Sequence, residues 1–120
     1  MTGVIVDACG WVAVVDARIN IDLELEEKIG PVELKVTEAV LSELERLAER
    51  ESKNILLNLL KERAEVVHGE GEHTDDEILD LAMDRGWPVL TVDKMLKTRL
   101  HEANASVIEP HGFKALRLIE

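Results

Sequence analysis

Short apolar runs alternate along the chain with longer segments in which apolar residues recur at helical spacing. The short runs predict five strands, at 3–8, 32–36, 65–68, 87–92 and 106–110. The periodic segments predict helices at 10–19, 21–30, 37–50 and 93–103, and further helices that begin near 52 and 74. Strands that alternate with helices are typical of a parallel sheet covered by helices on both faces. We therefore predict a three-layer α/β/α fold with a central parallel sheet, formed by residues 1–120 as a single domain.

Polar residues mark where three of these helices begin. Thr37 and Ser52 are typical N-caps, because a hydroxyl oxygen can accept a hydrogen bond from a free N–H group of the first turn. Thr74 and Glu77 match the capping box, in which two side chains satisfy two such N–H groups. Asp75 and Asp76 lie in the same first turn, where the helix dipole favours acids.

The charge balance limits how this chain could bind a nucleic acid. It has 25 acidic and 14 basic residues, which gives a net charge of −11. Non-specific nucleic-acid binders are usually basic, since Lys and Arg supply the affinity for phosphates. A phosphodiester substrate would have to be met by a local group of basic residues or by bound cations. The only aromatic residues are Trp11, Trp87 and Phe113, which argues against a base-stacking surface.

The N-terminal segment does not predict export or membrane insertion. It lacks the basic start of a signal peptide, and its apolar run is too short and too interrupted to span a bilayer. Cys9 is the only cysteine, so no disulfide can form within the chain, and a reducing compartment is favoured. We expect a cytoplasmic protein with no membrane partner.

Four acids fall where open α/β sheets form their sites, outside the carboxyl ends of the strands. Asp7 lies near the end of the first predicted strand, and Asp93 directly follows the fourth. Asp75 begins a helix whose N-terminus should face the same edge. Glu43 borders the apolar stripe of the helix after the second strand, but Glu45 borders the other side of that stripe. The periodicity therefore leaves the choice between Glu43 and Glu45 open.

Four segments, taken in order, resemble the PIN-domain ribonucleases. They are VIVDACGWVAVV (4–15), VTEAVLSELERLA (36–48), HTDDEILDLA (73–82) and PVLTVDKMLKTRL (88–100). The family has a first strand that ends in Asp, a helix with V-x-x-E-L, a helix start D-x-x-I-x-x-x-A and a strand that ends T-x-D. Asp75 with Ile78 and Ala82 matches the third pattern in register, and Thr91 with Asp93 matches the fourth.

The resemblance implies a metal-dependent endoribonuclease with Asp7, Glu43, Asp75 and Asp93 as its catalytic and metal-binding residues. Mg²⁺ or Mn²⁺ would be the cofactor, because these hard cations prefer carboxylate oxygens and can activate water at a phosphodiester. Asp7 and Asp93 are the expected primary ligands, and Glu43 and Asp75 complete the set. Asp76 is a candidate auxiliary ligand.

The substrate of such an enzyme would be RNA, and basic residues next to Asp93 are candidates for docking it. Lys94, Lys97 and Arg99 follow Asp93 directly and could contact phosphates beside the site. An ordinary solvated helix face would give the same pattern of charges.

Two positions depart from the family pattern, and they leave an alternative function open. Cys9 stands where Ser or Asn commonly orients the first Asp, and Val92 replaces a frequent Asn. A catalytically silent PIN-like binding or assembly module is therefore the alternative to an enzyme. A receiver-like signalling domain is disfavoured, because no acidic pair follows the first strand.

The stretch of sequence from Glu43 to Asp75 is short compared with that of toxins of the VapC type. In this respect the chain looks closer to compact archaeal PIN proteins that resemble rRNA-processing nucleases. RNA processing or quality control, with a ribosome-assembly partner, and toxin action, with an antitoxin partner, are both consistent with the resemblance. It also implies a homodimer.

Overall fold

The computed structural model describes residues 2–51 and 54–120, and these form six strands and six helices. The strands are β1 (Thr2–Val6), β2 (Val32–Val36), β3 (Ala64–Val66), β4 (Val89–Leu90), β5 (Val107–Pro110) and β6 (Leu116–Ile119). The helices are α1 (Ala8–Asp16), α2 (Ile21–Lys28), α3 (Glu38–Glu51), α4 (Asn54–Arg63), α5 (Thr74–Arg85) and α6 (Lys94–Glu102). The predicted cap at Ser52 lies outside the described residues.

The six strands form one sheet in the order β3-β2-β1-β4-β5-β6. The pairs from β3 to β5 are all parallel, as predicted, but β6 pairs antiparallel with β5. The predicted α/β fold with a central, mostly parallel sheet is therefore confirmed, and β6 is an additional edge strand that was not predicted. The chain reverses through residues 111–115, where Gly112 has a φ of 70°, and this tight turn can only return the next strand antiparallel.

The centre of the sheet is β1, which is buried on both faces. Val4, Ile5 and Val6 have no exposed surface, as expected for a strand enclosed by helices. The helices contact one another in separate groups, α1 with α3 and α4, and α5 with α6, which gives the predicted layers on the two sides of the sheet. No helix within residues 2–51 and 54–120 has the length and apolar character that crossing a bilayer requires.

The strand order reverses direction between β1 and β4. From β1 the chain continues outward to β2 and β3, whereas β4, β5 and β6 extend the sheet on the other side. In open α/β sheets, ligands bind in the crevice that this reversal opens at the carboxyl ends of the strands. We call this side the carboxyl edge. Asp7 follows β1 there, and Asp93 comes shortly after β4.

The start of α5 differs from the predicted capping box. His73 is the N-cap and makes no side-chain capping bond, and Thr74 is already the first helical residue. Glu77 Oε2 instead accepts a hydrogen bond from the N–H of Gly69 at 3.0 Å. The preceding loop packs so closely on α5 that a Cβ at Gly69 would lie 2.8 Å from the Glu77 carbonyl oxygen. Glu77 therefore holds this loop rather than capping the helix.

Candidate functional site

Asp7 is the most buried acid at the carboxyl edge, with 6% of its surface exposed. It is the N-cap of α1, and its Oδ1 accepts from the N–H of Ala8 at 2.9 Å. Its Oδ2 accepts from the hydroxyl of Thr91 at 2.8 Å and from the thiol of Cys9 at 3.2 Å. Three donors therefore fix the position of this carboxylate.

Thr91 links the two acids that follow the central strands. Its buried hydroxyl donates to Asp7 Oδ2 and accepts from the N–H of Asp93 at 3.1 Å. Asp93 is in turn the N-cap of α6, where its Oδ1 accepts from the N–H of Leu96 at 2.9 Å. One hydroxyl thus sets the position of Asp7 relative to Asp93. The T-x-D pattern contained this residue, but sequence reasoning gave it no role.

Cys9 occupies the position from which Ser or Asn was expected to orient the first Asp, and its thiol does contact Asp7. The Sγ also lies 3.4 Å from Thr91 Oγ1. Burial raises the pKa of the Cys9 thiol, and the charge of Asp7 adds to that effect, although the hydrogen bond with Thr91 opposes it. The thiol therefore stays protonated and serves as a weak donor rather than a nucleophile.

Close packing of α1 against β4 brings these groups together. Gly10 lies on α1, and a Cβ at this position would be 2.3 Å from the carbonyl oxygen of Leu90. The N–H of Asp7 donates to the same carbonyl at 3.0 Å. Only glycine allows the first turn of α1 to approach the end of β4 this closely.

Glu43 and Asp75 face Asp7 and Asp93 from α3 and α5. Partial burial raises the pKa of Glu43, and the charges of Asp7, Asp75 and Asp93 raise it further, while Arg46 lowers it. Burial likewise raises the pKa of Asp75, as do Asp7 and Asp93, with Arg99 acting in the opposite direction. These mutual effects show that the four acids predicted from the sequence lie within electrostatic reach of one another.

The structure separates Glu43 from Glu45 by position. Glu45 Oε1 lies 3.4 Å from Lys61 Nζ, so this side chain is directed toward α4. Glu43 lines the cleft at the carboxyl edge. A helical wheel could not separate them, because only the position of α4 shows which border of the stripe is covered.

Asp7, Glu43, Asp75 and Asp93 line an open cleft of about 500 Å³, which we call the acidic cleft. Besides the four acids, its lining includes Cys9, Arg46, His73, Thr74, Asp76 and Arg99. Arg46 was missed by the sequence analysis, although its position three residues after Glu43 places it on the same side of α3. It brings a cation to the cleft.

The predicted docking residues on α6 are divided between two sides of the helix. Arg99 lines the acidic cleft, where its Nη2 donates to Asp76 Oδ1 at 2.8 Å. This hydrogen bond lowers the pKa of Asp76. Lys97 instead donates to Glu109 at 2.9 Å, and Lys94 and Lys97 line a separate cleft with His101. Residues two apart on a helix point in nearly opposite directions, so Lys97 and Arg99 could not share one site.

The side chains of the acidic cleft fit a hard divalent cation in their chemistry. They offer carboxylate oxygens, and partial burial together with the charges of the other acids raises the pKa values of Glu43 and Asp75. A bound cation would relieve the repulsion between these acids. Within the described parts of the chain, no three His, Cys, Asp or Glu side chains already stand close enough to hold a metal ion. Mg²⁺ commonly keeps several waters, so ligands at such spacing can reach it through water.

Comparisons with known proteins agree with this architecture. Residues 4–112 match the family model described as a PIN-like domain, a segment that contains all four acids. The solved structure of the PIN domain endonuclease Utp24 matches with a TM-score of 0.82 and 24% sequence identity, covering 97% of this chain and 90% of that one. This similarity shows a common fold. None of the curated proteins matches the chain.

Proposed function

The chain belongs to the PIN-like domain family, and from this membership we propose that it is a metal-dependent endoribonuclease that works as a single domain. The observation that carries the proposal is the acidic cleft, where four acids from four separate segments face one another at the reversal of strand order. The description of the similar Utp24 structure as an endonuclease supports the same activity.

The four acids would divide the work according to how firmly each is held. Asp7 and Asp93 are fixed by hydrogen bonds through Thr91, so they are suited to be the primary ligands of Mg²⁺ or Mn²⁺. Glu43 and Asp75 have pKa values raised by their surroundings, which suits groups that complete the ligand set or hold the attacking water. The bound cation would supply charge neutralisation at the phosphodiester and a lowered pKa for water.

Cations of the cleft would bind the substrate. Arg46 and Arg99 line the same cleft as the acids, so they can contact phosphate oxygens beside the scissile bond. Asp76 would act by orienting Arg99 rather than as an auxiliary ligand, because the two side chains are already paired. Lys94 and Lys97 would contact the RNA further along, from the second cleft beside α6.

Two biological settings suit this activity. One is RNA processing or quality control in contact with a ribosome-assembly partner, and the other is a toxin held by an antitoxin, with a homodimer in either case. The identity of the neighbouring genes separates them, because a toxin requires an adjacent gene for a small antitoxin.

Cleavage of labelled RNA tests the proposal. Purified protein is incubated with structured and single-stranded RNAs in Mg²⁺, Mn²⁺ or EDTA, beside Asp7→Asn and Asp93→Asn. We expect cleavage in Mg²⁺ or Mn²⁺ only, and a loss on the order of a thousandfold in either variant, since several kcal/mol of transition-state stabilisation are removed. Cleavage that persists in EDTA and in both variants would contradict the metal mechanism. RNA binding without cleavage by the wild type would favour a silent PIN-like binding module.

A further inference from the structure

A second depression lies directly beside the acidic cleft, between α1 and α3. It has a volume of about 340 Å³, which is within the range of small-ligand pockets. Its walls include the half-buried side chains of Val12, Ala13 and Leu47, and Arg50 stands among its lining residues. We call it the α1–α3 pocket. Its apolar character contrasts with the acidic cleft next to it.

The two depressions adjoin each other, because Cys9 and Glu43 line both of them. A phosphodiester in the acidic cleft carries one nucleoside on each side. One of the two bases would therefore lie close to the mouth of the α1–α3 pocket. The α1–α3 pocket is thus placed to receive a group attached to whatever the acidic cleft binds.

The lining suits a flat ring that is joined to an anionic backbone. Val12, Ala13 and Leu47 can cover the faces of a base, and burying apolar surface of this kind is favourable. Arg46 lines the acidic cleft, and Arg50, one turn further along α3, lines the α1–α3 pocket. The two cations thus follow the path that a strand would take from one depression to the next.

We propose that the α1–α3 pocket binds the unpaired base of the nucleotide next to the scissile phosphate, and that Arg50 contacts the phosphate beyond it. This inference rests on the proposed action on RNA. A base can enter the pocket only if it leaves its stack and its pairing partner, which costs little in a single strand and more in a duplex. The α1–α3 pocket would therefore make the enzyme select unpaired segments.

Binding of modified RNAs to pocket variants tests the proposal without relying on cleavage. Fluorescence anisotropy is measured with a single-stranded oligoribonucleotide and with a series that lacks one base at successive positions, in Ca²⁺, with gels confirming intact RNA. Ala13→Met fills the α1–α3 pocket. Ala17→Met, an exposed position at the end of the same helix, is the matched control. Thermal unfolding establishes that each variant is folded.

For the wild type we expect loss of one particular base to weaken binding about tenfold, because the apolar surface of that base is no longer buried. Ala13→Met should weaken binding of the intact RNA by a similar factor, and removing that base should then have no further effect. Ala17→Met should behave as the wild type. Equal affinity of Ala13→Met and wild type for the intact RNA would overturn the proposal, as would base-loss profiles that are the same in both.

Arg50→Gln provides a second variant if Ala13→Met does not fold. We expect weaker binding and a salt dependence reduced by about one phosphate contact, whereas Arg63→Gln, a cation paired with Asp22, should leave both unchanged. Unchanged binding by Arg50→Gln would overturn the proposed contact of Arg50 with phosphate.

Other outcomes separate this inference from the proposed nuclease function. A wild type that binds with the expected base dependence but never cleaves would refute the nuclease proposal and support base binding in the α1–α3 pocket. If the wild type is a dimer, and Ala13→Met dissociates it without changing the affinity for RNA, the α1–α3 pocket is an interface with a second copy of the chain and the base-binding proposal is overturned.

Discussion

Carboxylates occur in two contrasting settings in this molecule, the acidic cleft and a cluster around Glu109. In the cleft, Glu43 and Asp75 are surrounded by other acids, and burial together with these charges raises their pKa values. Glu109 on β5 is also largely buried, which alone would raise its pKa, but hydrogen bonds from Lys97 and Arg117 outweigh this and lower it. We call these three residues the Glu109 cluster.

From this difference we infer a structural role for the Glu109 cluster, beside the catalytic role that we propose for the acidic cleft. In the Glu109 cluster, Lys97 and Arg117 offset the negative charge of Glu109, so the protein itself supplies the opposite charge. The acidic cleft also has two cations, Arg46 and Arg99, but they stand against five acids, so negative charge is in excess there. Strained electrostatics of this kind is common at functional sites, where a ligand supplies the missing charge.

The largest contrast should appear in cleavage when one acid of α3 is neutralised. Glu43→Gln should reduce RNA cleavage by about a hundredfold or more, because a ligand or water-holding group is lost. Glu45→Gln, on the same helix but paired with Lys61, should leave the rate within about twofold, as expected for an exposed ion pair. Rates under single-turnover conditions measure both. Equal losses of cleavage rate in the two variants would contradict a special role for the acid in the cleft.

A smaller loss should follow when the link between Asp7 and Asp93 is cut. Thr91→Val removes the hydroxyl that contacts both, so cleavage should fall about 10–100-fold, as when groups that orient metal ligands are removed. Thr91→Ser should restore most of the rate, since it keeps the hydroxyl. Thr98→Val, which loses only a bond to the carbonyl of Lys94, is the control. If Thr91 acted only by packing, Thr91→Val would cleave faster than Thr91→Ser, because valine keeps the shape of threonine and serine does not.

Glu109→Gln should act on stability and leave catalysis unchanged. Lys97 and Arg117 would lose their charged acceptor, so the free energy of unfolding should fall by about 1–3 kcal/mol. Urea unfolding measures this change. At saturating RNA, cleavage by the folded variant should match the wild type, because Lys97 keeps its charge. A loss as large as that of Glu43→Gln would show that the two clusters do not have separate roles.

The smallest effect should be the pH dependence of stability in metal-free protein, and its sign should differ between the clusters. The pKa of Glu43 is raised above its ordinary value of 4.5, so the stability it contributes is present below pH 4.5 and lost as pH rises through the raised pKa. The pKa of Glu109 is lowered from 4.5, so its contribution is present above pH 4.5 and lost as pH falls through the lowered pKa.

Urea unfolding in EDTA at a series of pH values separates the two. Glu43→Gln should flatten the decline in stability above pH 4.5, and Glu109→Gln should flatten the loss below it. Curves that change in the same direction for both variants would contradict the opposite electrostatic settings.

Much of the fold could be predicted because its strands are continuous apolar runs and its helices have strong periodicity. The strand β6 was missed although Leu116 and Leu118 alternate with polar or more exposed positions after a turn that contains Gly112. Such a short segment at an edge gives only a weak alternating signal. The capping box at Thr74 was wrong because the loop just before α5 offers another donor, the N–H of Gly69, to the Glu77 carboxylate.

The part of the candidate site that follows directly from the ends of strands could be predicted from the sequence. Asp7 and Asp93 follow adjacent parallel strands, so the carboxyl edge brings them together whatever the details of packing. Glu43 could not be separated from Glu45, because that depends on how α3 lies against α4. Lys97 was grouped with Arg99 by closeness in sequence, although helix geometry separates them, and only the structure shows that Glu109 holds Lys97.

Calorimetric titration with Mn²⁺ tests the central claim, that the acidic cleft binds a divalent cation, most directly. The wild type, Asp7→Asn and Glu109→Gln are titrated under the same conditions, each after removal of metal by EDTA and dialysis. We expect the wild type and Glu109→Gln to bind Mn²⁺ with the same affinity, and Asp7→Asn to bind at least about tenfold more weakly. No binding by the wild type, or equal binding by all three, would contradict the claim.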